Sequence, residues 1–510
     1  MKNQVQLITY VDRLGGGGLV ELQALLCAPR AGLRPARPPW GSSKVAEPHL
    51  LERGPLNGLF GGVHLLPFFH TIDGADAGFD PIDHTQVDAR LGTWADVAAL
   101  AGQVDVMGDV IVNHMSVASP QFQDWSARGA ASPWAGLFLT FDTVFPRGAS
   151  EADLLALYRP RPGLPFTATT LANGQRKLLW TTFAAQQADI DVQHPSGLAY
   201  LAGILQTFAA NGVHMVRLDA VGYAIKRAGS SGFMTADTFA FIAEFAARAK
   251  ALGIEVLVEV HAYYRRQIEI AAQVDWVYDF ALPPLLLHAV FFKTAAPLKQ
   301  WARMRPRNAL NVLDTHDGIG IIDIGADAQD RAAHPGLVPA QVLDALVERI
   351  HANSGGQSRH ATGAAASNLD LYQVNCTYFD ALGRDEQAYL AARAVQFFLP
   401  GVPQVYYVGL LAGGNDMALL QRSGVGRDIN RHHYSGAEIT QALGQPVVQQ
   451  LLELIRLRNT HPAFAGCFTL LDTPAHELGL RWEHVDSWIE LRVDFAAMSW
   501  AVRSDTAVAA

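Results

Sequence analysis

The stretch GVHMVRLDA, residues Gly212–Ala220, is a short apolar run that leads into a carboxylate, Asp219. The same arrangement recurs in GIEVLVEV, which carries Glu259, and in VLDTHDG, which carries Asp317. A carboxylate placed where a buried strand surfaces is costly to desolvate, so it usually has a function. If the three runs are parallel strands of one barrel, the carboxylates converge on one mouth, where two carboxylates facing each other across a sugar ring can transfer a glycosyl group.

Further short apolar runs along the chain have the same character, and helical patterns separate them. Runs rich in β-branched residues suit strands that are buried on both faces of a parallel sheet. The eight predicted strands are Val5–Tyr10, Gly62–Phe69, Asp105–Val112, Val213–Leu218, Ile254–Val260, Trp276–Phe280, Ala309–Leu313 and Gln404–Val408. The predicted helices include Ser196–Ala210, Thr235–Leu252 and Asp385–Phe398. Eight strands alternating with helices predict an α/β fold of the (β/α)8 barrel type.

Two stretches are too long for simple connections, and loops of such length are usually functional insertions. We predict barrel parts at 1–111, 193–318 and 384–463, interrupted by a first insertion at 112–192 and a second insertion at 319–383. The alternating tail, 464–510, predicts a small antiparallel β domain. The proline-rich segment Pro29–Pro55 cannot be a continuous helix and is predicted to be a surface loop inserted after the first strand.

Composition narrows the class of protein. The 510 residues carry a net charge of −9 with no strong basic stripe, which argues against a nucleic-acid partner. The three cysteines, Cys27, Cys376 and Cys467, are far apart and predict neither a disulfide framework nor a cysteine metal site. Prolines interrupt the longest apolar stretch, so we expect no membrane span, and a start without an apolar block makes a cytoplasmic location the default.

Two of the carboxylates have informative neighbours. Arg217 and Asp219 are two residues apart on a predicted strand and share a face, where a fixed guanidinium favours the ionised carboxylate that a nucleophile needs. A structural ion pair is an equal alternative. Glu259 lies in an apolar strand, and apolar surroundings suit a carboxyl that donates a proton. Its alternative is a buried glutamate bonded to a neighbour such as His261.

Other candidates are less specific. Asp317, after His316, could be a turn residue or a helix N-cap. His114, in DVIVNH, could be a core histidine or a metal ligand, but no HExxH motif is present and a structural zinc site is not expected. The run Gly15–Gly18 is not followed by lysine and is no phosphate loop.

Four motifs in order resemble the signature regions of the α-amylase superfamily of glycoside hydrolases: DVIVNH (Asp109–His114), VRLDAVGY (Val216–Tyr223), VEVH (Val258–His261) and LDTHDG (Leu313–Gly318). Further stretches are similar to its sucrose phosphorylase family: DGADAGFDPIDH from Asp73, YRPRPGLPF from Tyr158, AASNLDLYQVN from Ala365, FFLPGVPQVYYVG from Phe397 and GRDINRH from Gly426. The resemblance covers most of residues 1–460 and weakens in the tail.

The resemblance implies residue roles. Asp219 would be the nucleophile that forms a β-glucosyl ester, Glu259 the general acid/base, and Asp317 the group that stabilises the oxocarbenium-like transition state. The glucosyl unit would be held and enclosed by Asp76, Phe79, His114, Phe183, Gln187, Arg217, His261, His316 and Arg427. Fructose and phosphate would meet Arg161, Asp370, Tyr372 and Gln373.

The activity that the resemblance implies is reversible phosphorolysis of sucrose to α-glucose 1-phosphate and fructose. Retention requires two displacements between carboxyl groups about 5–5.5 Å apart, and phosphate requires cations, for which Arg161 is a candidate. The family suggests a homodimer. We expect no cofactor and no metal, although Asn113 stands where some relatives have a calcium ligand.

Alternatives remain open at the acceptor. They are a related phosphorylase acting on sucrose 6′-phosphate, glucosylglycerol or glucosylglycerate, and an α-glucosidase or transglucosidase of the same superfamily. A binding or scaffold protein on the same fold would be expected to lack at least one of the three carboxylates.

Overall fold

The computed structural model describes residues 1–27, 54–71, 76–160, 163–327, 330–362 and 373–505, without the side chain of Asp76. Its strands are β1 (Gln6–Thr9), β2 (Gly62–Leu65), β3 (Phe69–Thr71), β4 (Pro81–Val87), β5 (Asp105–Ile111), β6 (His114–Ser116), β7 (Phe166–Thr170), β8 (Arg176–Trp180), β9 (Gln187–Asp189), β10 (Met215–Asp219), β11 (Glu255–Val258), β12 (Trp276–Asp279), β13 (Ala309–Asn311), β14 (Ile319–Gly320), β15 (Gln373–Val374), β16 (Val402–Tyr406), β17 (Cys467–Leu470), β18 (Glu477–His484), β19 (Ser487–Asp494) and β20 (Ser499–Ser504).

The longer helices separate these strands. They are Leu19–Leu26, Trp94–Ala101, Pro120–Arg128, Glu151–Ala156, Pro195–Ala210, Ala236–Ala251, Tyr264–Ala271, Leu282–Phe292, Ala296–Met304, Ala340–Asn353, Gln357–Thr362, Glu386–Phe398, Met417–Ser423, Gly436–Leu443 and Pro446–Thr460. Single turns occupy Phe141–Val144, Tyr378–Ala381 and Tyr407–Leu410. The proline-rich segment lies almost entirely outside the described residues, which resume at Gly54.

Eight strands close a parallel barrel in the order β1, β16, β13, β12, β11, β10, β5, β2. Around the barrel each strand therefore follows its predecessor in the chain, and β16 returns to β1 with Gln404 opposite Gln6. All eight predicted strands are confirmed, and so is the (β/α)8 fold.

Every observed barrel strand differs from its prediction by one to four residues at one or both ends, and two strands serve as examples. The strand predicted over Gly62–Phe69 ends at Leu65, because Pro67 has no N–H to donate to the ladder. Phe69 begins β3, which pairs with β4 instead. The strand predicted to begin at Gln404 begins at Val402, and a helical turn starts at Tyr407.

The predicted helices are confirmed to within one residue. The helix Ala236–Ala251 begins after Thr235, whose side chain accepts the N–H of Thr238, and ends before Gly253, whose φ of +76° suits glycine. Its buried face includes Ile242 and Phe245. The helix is therefore amphipathic with capped ends, as the sequence indicates.

The long stretches between barrel elements contain secondary structure of their own. In residues 112–192, β6 pairs with β9 and β7 pairs with β8. The same stretch contains a buried cluster of Leu139, Phe145, Leu157 and Trp180. In residues 319–383, β14 pairs antiparallel with β15. The tail forms a four-stranded sheet in the order β17, β18, β19, β20, which confirms the predicted antiparallel β structure there.

The chain divides into two compact units. One comprises Met1–His64, His261–Ala271 and Val277–Ala510, and the other comprises Leu65–Val260 and Ala272–Trp276. Among the helices of the described residues, none combines the length and apolar character that a bilayer span requires.

Candidate active site

Arg217 is the centre of a charged cluster at the end of β10. The parallel register of β10 and β5 places it opposite Asp109, and its Nη1 lies 2.6 Å from Asp109 Oδ1. Residues two apart on a strand share a face, so the same Nη1 lies 3.0 Å from Asp219 Oδ1. Nη2 lies 3.7 Å from Glu259 Oε1. One guanidinium therefore contacts three carboxylates, and the ion pair considered for Arg217 and Asp219 is present.

The three carboxylates differ in access. The side chain of Asp109 is fully buried, whereas those of Asp219 and Glu259 are 15% and 13% exposed. Asp219 is the last residue of β10, and Ala220 follows it with a left-handed φ of 54° that turns the chain away. Asp109 therefore holds Arg217 from the buried side. Asp219 and Glu259, for which catalytic roles are predicted, are partly exposed.

The Phe79 carbonyl joins two more predicted pocket residues. His114 Nε2 donates to it at 3.0 Å and Gln187 Nε2 at 3.1 Å. The Arg217 guanidinium lies 5.4 Å from the centre of the Phe79 ring, and the rings of His114 and Phe183 are 5.4 Å apart. The structure therefore brings these predicted residues together beside the charged cluster.

A second group forms around Asp317, and each of its contacts lies within the other compact unit. Arg427 Nη1 is 2.8 Å from Asp317 Oδ1, and His316 Nε2 is 3.6 Å from Oδ2. The Asp317 N–H donates to Thr315 Oγ1 at 3.2 Å, and Arg431 donates from Nε to the His316 carbonyl at 2.9 Å. Asp317 is thus a carboxylate held between the Arg427 guanidinium and the His316 imidazole rather than a helix N-cap.

The remaining predicted residues fall into two sets. His261 and Gln373 are buried and contact each other through their Nε2 atoms at 3.1 Å. Arg161, Asp370, Tyr372 and the side chain of Asp76 lie outside the described residues.

Lys226 contacts residues beside the predicted pocket, and nothing in its sequence context indicated this position. Its ammonium lies 2.5 Å from Asp189 Oδ2, and the lysine side chain is 2% exposed. It also donates to Asn113 Oδ1, and Asn113 Nδ2 lies 3.3 Å from His114 Nδ1. Burial lowers the pKa of Lys226, and the attraction of Asp189 opposes that shift. The position noted for a calcium ligand therefore faces an ammonium group.

A cluster outside the predicted site also offers possible cation ligands. His476, Glu477 and Asp494 offer ligand atoms within 4.8 Å of one another. Glu477 and Asp494 are simply opposite each other on β18 and β19, and Asp494 Oδ1 already accepts the N–H groups of Ala496 and Ala497. Hairpin geometry accounts for this cluster.

Comparisons with known proteins identify the family of the chain. Residues 59–250 match the model of the α-amylase catalytic domain. The chain is 57% identical to a sucrose phosphorylase of Agrobacterium vitis, over 97% of this chain and 96% of that protein. It is 53% identical to a sucrose phosphorylase of Bifidobacterium adolescentis, over 94% and 90%. The crystal structure of a sucrose 6F-phosphate phosphorylase from Thermoanaerobacter thermosaccharolyticum matches with a TM-score of 0.86 and 34% identity, over 99% and 96% of the two chains. The chain belongs to the sucrose phosphorylase family of the α-amylase superfamily.

Proposed function

We propose that the chain is a glycoside phosphorylase that catalyses the reversible phosphorolysis of sucrose by a retaining double displacement. The observation that carries the proposal is the Arg217 guanidinium, which contacts both Asp219 and Glu259. A retaining glycosidase requires two carboxyl groups close enough to act on one sugar ring, and a shared cation holds this pair in register.

In the first displacement, Glu259 gives its proton to the glycosidic oxygen of fructose while Asp219 attacks the anomeric carbon. The carbon–oxygen bond breaks, fructose leaves, and a β-glucosyl ester forms on Asp219. In the second, a phosphate oxygen attacks the same carbon, the ester bond breaks, and the phosphate proton passes to Glu259. The product is α-glucose 1-phosphate, because two inversions restore the configuration.

Asp317 is proposed to stabilise the positive charge that develops on the glucosyl ring. Arg427 and His316 fix its carboxylate, which supports this role. Functional side chains of (β/α)8 barrels lie at the carboxyl ends of the strands. Asp219 is the last residue of β10, and Glu259 and Asp317 follow β11 and β13. Phe79, His114, Phe183 and Gln187 are proposed to enclose the glucosyl unit.

Sequence identity favours sucrose over the related donors. The chain is 57% and 53% identical to two sucrose phosphorylases, against 34% for the sucrose 6F-phosphate phosphorylase of known structure. All three carboxylates are present, which argues against a scaffold protein without activity. A cytoplasmic location and a homodimer remain proposals, and sedimentation of the purified protein tests the second.

The test is incubation with sucrose and phosphate, with glucose 1-phosphate measured enzymatically. We expect phosphate-dependent product, and a loss of about 10⁴-fold or more in kcat for Asp219→Ala, since the covalent route is removed. Asp344→Ala, at an exposed position of the helix Ala340–Asn353, is the matched control and should keep full activity.

Two results would contradict the proposal. One is glucose released as the main product at a rate independent of phosphate, which indicates a hydrolase. The other is turnover retained by a correctly folded Asp219→Ala variant.

A further inference from the structure

Asp323 is a fully buried aspartate that the proposed mechanism does not use. It lies in the apolar run IGIIDIG, in the turn Ile322–Ile324, and its side chain is 0% exposed. Its Oδ2 lies 2.9 Å from His261 Nδ1. Its Oδ1 accepts the N–H of Ala262 at 3.2 Å and an amide hydrogen of Gln267 at 3.1 Å. Three donors therefore converge on one carboxylate, and one of them is a predicted pocket histidine.

The hydrogen bond between His261 and Gln373 determines which nitrogen of the imidazole ring carries the proton. Gln373 Oε1 accepts the N–H of Gly318 at 3.3 Å, which leaves its amide nitrogen to donate to His261 Nε2 at 3.1 Å. Nε2 is thus an acceptor, so the proton of the neutral ring is on Nδ1 and is donated to Asp323. The imidazole ring of His261 also stacks on the Phe280 ring, with the ring centroids 3.8 Å apart and an interplanar angle of 14°.

The lack of a side chain at Gly320 leaves room for the contact between Asp323 and His261. Gly320 pairs with Gln373 across β14 and β15, which places the glutamine beside the imidazole. A Cβ at position 320 would lie 2.1 Å from Asp323 Oδ2 and 2.9 Å from His261 Nδ1. Glycine is therefore required there for the aspartate and the histidine to meet.

We propose that Asp323 is a positioning residue for the leaving-group side of the site, acting through His261 on Gln373. The proposal rests on the proposed function, together with the contact to fructose and phosphate that the resemblance implies for Gln373. With Asp323 ionised, His261 presents Nε2 as an acceptor and orients the Gln373 amide. With an amide at position 323 that donates to Nδ1, the imidazole proton moves to Nε2 and faces the Gln373 amide hydrogens. Gln373 must then rotate and give up the Gly318 N–H.

The test compares two glucosyl donors with different leaving groups. The fructose leaving group can be held through hydrogen bonds to its hydroxyl groups. The fluoride of α-glucosyl fluoride has no hydroxyl group and cannot be held in this way. We expect Asp323→Asn to lower kcat/KM for sucrose by about tenfold or more, in line with the loss of an oriented hydrogen bond. For α-glucosyl fluoride we expect a change below about twofold. Asp344→Asn, the same chemical change at an exposed position, should alter neither value.

A double variant shows whether the effect passes through His261. In a His261→Asn background, Asp323→Asn should change kcat/KM for sucrose by less than about twofold. Equal losses on both donors, or a full additional loss in the double variant, would overturn the proposal and indicate a structural role. If Asp323→Asn does not fold, Gln267→Met removes one donor to Asp323 and should lower only the sucrose value, by about threefold. Failure of the proposed function would appear separately, as wild-type protein that does not turn over sucrose with phosphate.

Discussion

His114 and His261 are both predicted to contact substrate, yet the structure holds them in opposite tautomers. His114 donates from Nε2 to the Phe79 carbonyl, and its Nδ1 faces Asn113 Nδ2. His261 donates from Nδ1 to Asp323 and accepts at Nε2. In each case an amide side chain or a carboxylate outside the predicted catalytic set decides which nitrogen carries the proton.

The two arrangements differ in what fixes them. The orientation of Asn113 is set by the Lys226 ammonium, which is paired with the buried carboxylate of Asp189. The orientation of His261 is set directly by Asp323, with an uncharged amide, Gln373, on its other side. Breaking a buried ion pair leaves an uncompensated charge, whereas changing a hydrogen-bond partner of a neutral ring does not. The first arrangement should therefore govern stability and the second should govern selectivity.

Lys226→Met should have the largest effect on stability. Asp189 would be left as a buried charge without its ammonium partner, so we expect a loss of about 3–5 kcal/mol in the free energy of unfolding. Urea unfolding followed by circular dichroism measures it.

The control is the double variant Lys226→Met with Asp189→Asn, which removes both charges and should be more stable than Lys226→Met alone. Asp323→Asn should lose less than about 2 kcal/mol, because its partners are neutral hydrogen-bond donors. Equal losses of stability for Lys226→Met and Asp323→Asn would contradict the conclusion that the Lys226–Asp189 ion pair matters more for stability than the Asp323–His261 hydrogen bond.

His84 extends the comparison to a buried histidine whose ring contacts are neutral. Nδ1 lies 2.6 Å from Tyr200 Oη, and Nε2 accepts the N–H of Ile111. Burial is the main cause that lowers the pKa of His84 to about 3. The unfolded chain binds this proton more readily, so the stability is complete above about pH 6.5 and is lost as pH falls towards 3.

Between pH 7 and pH 5, His84 should account for about 2 kcal/mol of lost stability. His84→Gln removes the titrating group and should make unfolding free energy less dependent on pH by that amount. Urea midpoints measured at both pH values give the answer, and an unchanged pH dependence in the variant would show that His84 is protonated in the folded protein.

An exposed ion pair provides the smallest effect. Arg248 Nη2 lies 2.6 Å from Glu244 Oε1 on the helix Ala236–Ala251, with side chains 48% and 61% exposed. Solvent screens such pairs, so Arg248→Ala should change the free energy of unfolding by less than about 0.5 kcal/mol. If Arg248→Ala lost as much unfolding free energy as Lys226→Met, burial would not explain the difference between the Lys226–Asp189 and Arg248–Glu244 pairs.

Local pattern predicted the positions of the carboxylates at the strand ends, whereas the other predicted site residues came from the resemblance to the family. Asp219 and Glu259 follow apolar runs that form strands, and the two-residue spacing of Arg217 and Asp219 predicts their contact, which is confirmed. The signal that could have identified more is a charged residue inside an apolar run. Asp109 in VMGDVIV and Asp323 in IGIIDIG both have it, and both are fully buried with a partner.

Those partners could not be read from the sequence. Asp109 meets Arg217 across 108 residues and Lys226 meets Asn113 across 113, and each contact depends on strand register or on how a long insertion returns. The His261–Asp323 pair likewise depends on the space that Gly320 leaves.

The amino-acid pattern alone predicts the eight barrel strands, three of the longer helices and the carboxylates at the strand ends, because periodicity and strand termination are local properties of the chain. Tertiary structure alone decided which buried charges pair and which nitrogen of each histidine carries the proton. The physical reason is that desolvation makes an unpaired buried charge costly, and the group that offsets this cost can come from any part of the chain that the fold brings within hydrogen-bonding distance.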